Sequence, residues 1–398
     1  MSTNYSPKIV SDSSLQFHID INNPKSWKGP PTSNYFYTPT PNSDGSVGFS
    51  VNGTGTFYRI YSGTYGGYTI QPSDVVYKYN LANQSGCYYH GNDFALAGGN
   101  TCTWSFQYYV SPDAQNYGVS PGNNFISNLE GNIGAGFYAN DLRQGVWENF
   151  NSGPLYINST GTGRVLIYPG ACNGTYMATS GFILFKNPQF ELLPYATSFV
   201  QSNSNSAGTR SATQCLLDLS GNSNVSDVTY AGYDSNGNVT FNGSSNYIST
   251  TVTKGPSCTF AVWAKTTTVA GNPMLFNAGN SGSGPDVYFN NNQISWNTWD
   301  GTANAFCTMP SSVTNGNYHY YVIVNDQNSN AKLYYDGSLI GTATYKNASS
   351  TTVLKIGGEP SGPYLWNGNI PVFMVYNKAL TSAEVLQNFN AQRSRFGV

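Results

Sequence analysis

Trp366-Asn-Gly-Asn-Ile-Pro-Val-Phe-Met-Val-Tyr-Asn-Lys-Ala-Leu-Thr-Ser-Ala-Glu-Val-Leu-Gln-Asn-Phe-Asn-Ala-Gln-Arg-Ser-Arg-Phe396 reads as a strand followed by a short helix. Alternation puts Ile370, Val372, Met374 and Tyr376 on one strand face and Phe373 and Val375 on the other, so both faces are apolar and the strand is buried on both sides. Thr381-Ser-Ala-Glu384 has the spacing of a capping box, in which the threonine hydroxyl and the glutamate carboxylate each satisfy a backbone N–H of the first turn. Leu380 before it is placed to staple against Val385, and Leu386 and Phe389 are expected to continue the apolar stripe.

Working outward, the 398 residues require two or three domains, each large enough for its own core. Only 9% of residues are charged and the net charge is −2, which excludes a basic field for nucleic acid. No apolar run reaches the roughly 20 residues that span a bilayer, so no membrane insertion is expected. The opening Met-Ser-Thr-Asn-Tyr-Ser-Pro-Lys lacks the apolar centre of a signal peptide, and synthesis in a cytoplasm is expected.

Tyr 31 and Gly 43, with abundant Asn, Ser and Thr, fit an all-β chain, since aromatic and β-branched residues favour strands while Gly and Asn form turns. Residues 1–27 are expected to form an N-terminal arm with one half-buried strand, Leu15-Gln-Phe17-His-Ile19-Asp-Ile21, with His18 on its polar side. Residues 28–195 read as many short strands divided by Gly, Pro and Asn turns, the pattern of a jelly roll or sandwich. The polar, aperiodic run within 196–213 reads as a linker, and 214–398 as a second sandwich. The fold expected is thus two jelly-roll or β-sandwich domains in tandem, ending in a short helix.

Several phrases carry a family resemblance. The Trp366 stretch, together with Leu216-Leu-Asp-Leu-Ser-Gly-Asn222, Phe260-Ala-Val-Trp-Ala264, Ile294-Ser-Trp-Asn-Thr-Trp-Asp300, Lys332-Leu-Tyr-Tyr-Asp-Gly337 and Leu354-Lys-Ile-Gly-Gly358, resembles laminin-G-like, concanavalin-A-type domains, in the versions found in phage virion proteins. Phe182 to Val200 is similar to the end of carbohydrate-binding-module-like jelly rolls on phage fibres. The resemblance implies a virion surface protein, a tail-fibre, baseplate or capsid-decorating component, whose partners are other virion proteins and host-surface polysaccharide. It also implies a homo-oligomer, with a trimer expected. Other readings are a non-viral carbohydrate-binding accessory protein and a glycoside hydrolase on the same fold.

The residues argue against an enzyme. Hydrolysis of a glycoside needs two carboxyl groups about 5 to 9.5 Å apart, and none of the five glutamates, Glu130, Glu148, Glu191, Glu359 and Glu384, has an acidic residue two to five positions away. No catalytic residues are expected. A lectin site instead needs an exposed aromatic ring beside short polar side chains. Trp296-Asn-Thr-Trp299-Asp300, with Tyr288 on the preceding strand, supplies that combination. Trp296 shares a strand face with Ile294, as a core residue would, and Trp299 projects the other way, so carbohydrate contact is expected at Trp299, Asp300 and Tyr288, with Trp296 beside them. The tyrosines from Tyr61 to Tyr68, with Tyr77, Tyr79 and Tyr88-Tyr89-His90, offer a second aromatic surface, for ligand or subunit. No metal site and no cofactor are expected. Calcium is the one cation the fold types accommodate, with Asp218, Asp234, Asp300 and Asp336 as single loop ligands. The six cysteines show no zinc spacing and read as free thiols.

Overall fold

A computed structural model describes residues 8–37, 50–53, 57–80, 86–89, 93–114, 125–131, 135–138, 143–167, 180–203, 206–278, 286–290, 293–297, 304–308, 310, 313–326, 330–344, 351–360 and 364–398. The chain divides into two compact units, the first built from 1–31 and 211–398 and the second from 32–210. This corrects the domain limits expected from sequence. The 1–27 segment is no separate arm, because Leu15–Asp20 pairs antiparallel with Asn367–Tyr376, setting Phe17 opposite Val375 and Ile19 opposite Phe373. The second unit is therefore inserted into the first rather than preceding it in tandem.

All pairings in the two large sheets of the first unit are antiparallel. The eight-stranded sheet runs Gly232–Tyr233, Val239–Asn242, Asn367–Tyr376, Cys258–Lys265, His319–Asn325, Asn330–Tyr335 and Ser338–Thr344, with Leu15–Asp20 joined to Asn367–Tyr376. The seven-stranded sheet runs Ser226–Asp227, Ile248–Thr253, Thr351–Ile356, Met274–Ala278, Asp286–Asn290, Gln293–Asn297 and Asn304–Thr308. One core draws on both sheets, with Phe260, Val262, Ile323 and Phe373 from the first and Phe276, Val287, Phe289 and Ile356 from the second. Phe17 and Ile19 belong to this core and are fully buried.

The strand Asn367–Tyr376 is buried on both faces, with one change from simple alternation. Val372, Met374 and Tyr376 join a second apolar cluster, while Ile370 sits with Phe373 and Val375 in the sandwich core. The register against Cys258–Lys265 slips between Trp263 and Lys265, which places an extra residue near Pro371. A bulge exchanges the faces beyond it, and proline, with no N–H to give the ladder, is tolerated there.

The second cluster lies under the helix Ser382–Phe396. Trp263, Tyr320, Tyr334, Met374 and Tyr376 pack with Val385, Phe389 and Phe396. Thr381 accepts the Glu384 N–H and Glu384 accepts the Thr381 N–H at 2.9 Å, so the capping box forms as its spacing predicts. Leu380 and Val385 are both buried in the cluster. Leu386, expected on the apolar stripe, is 46% exposed, and the buried face instead includes Asn388 and Gln392. These two amides have partners: Asn388 Oδ1 accepts the Val10 N–H at 2.7 Å, and Gln392 Oε1 accepts the Trp263 indole N–H at 2.6 Å. On the other side of Leu15–Asp20, His18 is half-buried, and its Nε2 has no hydrogen-bond partner among the described residues.

A polar clasp holds the N-terminal segment to this end of the unit. Lys378 Nζ lies 3.0 Å from Asp12 Oδ2 and 2.6 Å from Glu384 Oε1. The Ser14 hydroxyl, then Lys378, pulls the Asp12 carboxyl down to about 2 from an ordinary 3.8. Burial works against the Glu384 charge, but Lys378 and Thr381 hold its carboxyl below the usual range. Depressed carboxylates stabilise the fold above their unfolded pKa and lose that contribution as pH falls through the folded one. Hydrogen exchange should therefore show the amides near Val10 losing protection as pH drops from 3.8 toward 2, and Lys378→Met should diminish that step, leaving the part that Ser14 supplies. The groups are partly exposed, so the effect is expected to be some tenths of a kcal/mol.

The second unit carries two six-stranded antiparallel sheets. One runs Trp147–Asn151, Thr101–Val110, Phe182–Glu191, Val76–Asn80 and Phe57–Ile60, with Leu155–Tyr156 beside Thr101–Val110. The other runs Ala135–Tyr138, Phe125–Gly131, Gly161–Ile167, Gly86–Tyr89 and Ser50–Gly53, with Phe94–Leu96 beside Gly161–Ile167. Trp104, Phe106, Phe185 and Phe190 share a core with Phe94, Leu96 and Val165. Tyr77 and Tyr79, expected on an aromatic surface, are fully buried in that core. Tyr61 is 65% exposed, and the side chains of Tyr88, Tyr89 and His90 lie outside the described residues.

The expected linker is also largely folded. Gly208–Arg210 pairs with Thr32–Asn34, and Val200, Ser202 and Arg210 are buried. Its Ser and Asn content resembles a linker, but its ends are anchored by hydrogen bonds that composition does not reveal.

Candidate functional site

The sheet containing Thr101–Val110 sends Trp104, Phe106 and Tyr108 into the core and leaves Ser105, Gln107 and Tyr109 on its outer face. Register extends that face sideways: Ser105 stands opposite Asn151 and Gln189, and Gln107 opposite Asn149 and Lys186. Between these rows the register against Phe182–Glu191 slips, because Asn187-Pro188 adds a residue and Asn187 takes a positive φ of 53°. Bulges of this kind bend a strand and re-aim its side chains, and they recur beside binding sites.

The outer face has two halves. At one end Tyr65 packs on Tyr109 and Phe182, and Trp147 donates its indole N–H to the Tyr65 carbonyl at 2.8 Å. Lys186 is nearly buried there, its ammonium 3.6 Å from the Tyr68 ring centre. Burial lowers its pKa, against the opposing pull of Asp74. At the other end lies an open groove of about 420 Å³. Its lining includes the uncharged polar side chains of Gln107, Asn149, Asn151, Gln189 and Thr197, together with Phe150 and Phe199.

One wall is the segment that leaves the last strand. Gln189 accepts the Val200 N–H at 2.6 Å and donates to the Thr197 carbonyl at 3.2 Å. Buried Glu191 accepts from the Thr197 N–H and hydroxyl at 2.9 and 2.6 Å, and Arg210 donates to Thr197 Oγ1 and the Ser198 carbonyl at 2.7 and 2.9 Å. The charges thus fix the wall from behind and do not line the groove. On the floor, Gln107 donates to Asn149 Oδ1 at 2.7 Å. That bond leaves Gln107 Oε1 and the Asn149 Nδ2 amide group for a ligand: an acceptor beside a donor, suited to neighbouring hydroxyls.

The residues predicted from sequence are distributed differently. Trp299 and Asp300 lie outside the described residues. Tyr288 is half-buried, opposite Ser295, and Trp296 pairs with Val287 on the neighbouring strand. The Trp296 side chain lies outside the described residues. The face that carries Tyr288 also carries an in-register row, Asp227, Ser249, Lys355 and Asn277, across four adjacent strands. No motif announces that row, because its members are spread from position 227 to position 355 and only register aligns them.

For calcium, the carboxylates are engaged elsewhere. Asp218 accepts from the His18 and Ser220 amides, Asp234 from those of Asn236 and Asn238, and Asp336 from Tyr320 N–H and the His319 ring. Among the described residues no group of three or more His, Cys, Asp or Glu side chains is placed to hold a metal ion. Cys102, Cys215, Cys258 and Cys307 are free thiols.

Comparison with known proteins places the first unit. Residues 233–386 match the family model of the concanavalin A-like lectin/glucanases superfamily. No curated protein is similar to the chain. Solved structures that resemble it include the botulinum neurotoxin serotype D binding domain, with 15% identity over 46% of this chain and 50% of that one and a TM-score of 0.38. The botulinum neurotoxin type G receptor binding domain shows 19% identity over 44% and 48%, with a TM-score of 0.35. A serotype D ligand binding domain in complex with N-acetylneuraminic acid shows 16% identity over 46% and 50%, with a TM-score of 0.37. The chain spans about half the length of these structures.

Proposed function

We propose that this chain is a non-enzymatic, glycan-binding protein of a virion surface, and that the groove of its second unit takes a neutral polysaccharide of the host surface. The observation that carries the reading is the groove itself: amide and hydroxyl side chains line it, and no charged residue does. Fixed polar groups that converge in a cleft orient a small ligand and give it specificity. The family match of residues 233–386 supports a lectin-type fold for the other unit, and the phage-type phrases in the sequence support the virion setting, made in the host cytoplasm and assembled as a homo-oligomer with other virion proteins.

Catalysis has less to work with. Glu148 pairs with Arg143 and accepts the Tyr108 hydroxyl, Glu191 holds Thr197, Glu359 pairs with Lys355, and Glu384 caps the helix. Each of these carboxylates has a structural partner, and none lines the groove.

Gln107→Ala/Asn149→Ala removes the amide pair from an accessible strand face and should leave the fold intact. On an array of host-surface polysaccharides it should weaken binding at least tenfold, about 1.4 kcal/mol, with little dependence on salt because no ionic contact is lost. Equal binding by the folded variant, or no glycan bound by the parent protein, overturns the assignment.

A further inference from the structure

The first unit holds an exposed tyrosine pair that the groove does not use. Tyr230 is 56% exposed and stacks on half-buried Tyr247, with ring centres 4.8 Å apart and planes 13° from parallel. Tyr230 therefore has one face covered by Tyr247 and much of its surface open.

Both rings stand on fixed backbone. Tyr230 follows Val228 by two residues and Tyr247 precedes Ile248 directly, and both aliphatic residues are core. The Tyr230 carbonyl accepts the Tyr247 N–H and the Asn246 side-chain N–H, each at 3.2 Å. Asn242 Oδ1 gathers the amides of Ser244 and Ser245 at 3.0 and 2.9 Å, which shapes the turn leading to Tyr247. A platform already ordered before binding loses little entropy when a ligand arrives.

Asp227 pairs with Ser249, two residues beyond Tyr247, which sets a carboxylate near the rings. Burial raises the Tyr247 pKa, and the neighbouring Tyr230, Asp227 and Glu359 raise it further. Asp227 Oδ1 takes the Thr229 N–H and hydroxyl, and its Oδ2 has no protein partner among the described residues. Glu359 is held by Lys355 at 2.8 Å, which offsets its charge. Tyr364, 37% exposed, stands opposite Glu359. From Asp227 the polar row crosses the sheet to Lys355 and Asn277, whose Oδ1 is buried with no hydrogen-bond partner among the described residues.

We infer that Tyr230 and Tyr247, with Asp227 beside them, form a second carbohydrate subsite, which stacks one hexose ring of a neutral glycan whose chain continues along the polar row. A sugar presents C–H groups on its ring face and hydroxyls on its edge, and this site offers a flat aromatic face with an adjacent unspent carboxylate oxygen. A cationic ligand fits less well, since Lys355 already answers Glu359. The inference shares its ligand class with the proposed function, but the site is independent of the groove.

The test uses the full chain carrying Gln107→Ala/Asn149→Ala, titrated with malto-, cello- and mannohexaose. At least one should still bind this groove-silenced protein. Adding Tyr230→Ala should weaken that binding tenfold or more, while Tyr230→Phe should restore it, because the stack survives without the hydroxyl. Unchanged binding with Tyr230→Ala, or no binding by the groove-silenced chain, overturns the subsite. Failure of the groove assignment looks different: the groove variant would bind as the parent does, and Tyr230→Ala would still weaken it.

Discussion

Trp263→Ala will destabilise the first unit by about 3–5 kcal/mol, the range for losing a buried tryptophan and leaving a cavity. Trp263 is fully buried. Its ring stacks on Phe396 with centres 4.3 Å apart and on Phe389 at 5.8 Å, and lies 5.1 Å from Tyr320. It is thus a central contact between the C-terminal helix and the sheet. The truncation also strands Gln392 Oε1, whose bond to the indole is 2.6 Å long and buried, and an unsatisfied buried acceptor costs about a further 1–3 kcal/mol. Set against a domain stability of about 5–15 kcal/mol, the sum is enough to leave the helix detached or the unit unfolded at 37 °C. Urea denaturation followed by near-ultraviolet circular dichroism measures it. Trp263→Phe keeps a ring in place and should cost clearly less. A loss below about 1 kcal/mol for Trp263→Ala would show that the helix does not depend on this contact.

What the sequence reveals and what it hides divide along local and non-local physics. The capping box at Thr381 and Glu384 is legible because both partners lie within one turn and their chemistry is specific to that spacing. The doubly buried strand from Asn367 is legible because its apolar run exceeds what one face needs. Ile370 is misplaced by alternation because a bulge at Pro371 depends on the neighbouring strand. Leu386 fails for another reason: the helix spends part of its buried face on Asn388 and Gln392, which hydrophobic periodicity does not count. The groove was missed entirely. Gln107, Asn149 and Gln189 come from three strands, and in a chain so rich in amides no one of them stands out. The tyrosine pair is equally silent, since Tyr230 and Tyr247 look like any two of 31 tyrosines until the turn at Asn242 brings them together.

Removing residues 1–31 will unfold the first unit, whereas removing 32–210 will leave it folded. If the chain were two domains in tandem behind a dispensable arm, both deletions would leave the C-terminal sandwich folded, so the first deletion is the one that discriminates. The first deletion takes out Leu15–Asp20, a strand paired along Asn367–Tyr376, and with it Val10, Leu15, Phe17, Ile19 and Ile21, all buried. At about 1.5–3 kcal/mol for each large side chain, the loss approaches or exceeds the whole stability of a domain. It also leaves Arg395 without Asp20, which it grips with its two terminal guanidinium nitrogens. The second deletion removes a unit with its own core, and the cut ends are already close. Thr32 pairs with Arg210, and adjacent strands stand about 5 Å apart, so two or three glycine or serine residues can join Pro31 to Ser211. On the side retained, Lys28 N–H donates to the Cys215 carbonyl at 2.8 Å and Leu217 N–H to that of Ser26 at 2.8 Å, so the stem remains paired after the cut. The shortened protein should unfold cooperatively within about 1 kcal/mol of the first-unit transition in the full chain, because few distant contacts are changed. Circular dichroism melts of both deletions decide the matter. A folded chain lacking 1–31 would refute the discontinuous unit directly.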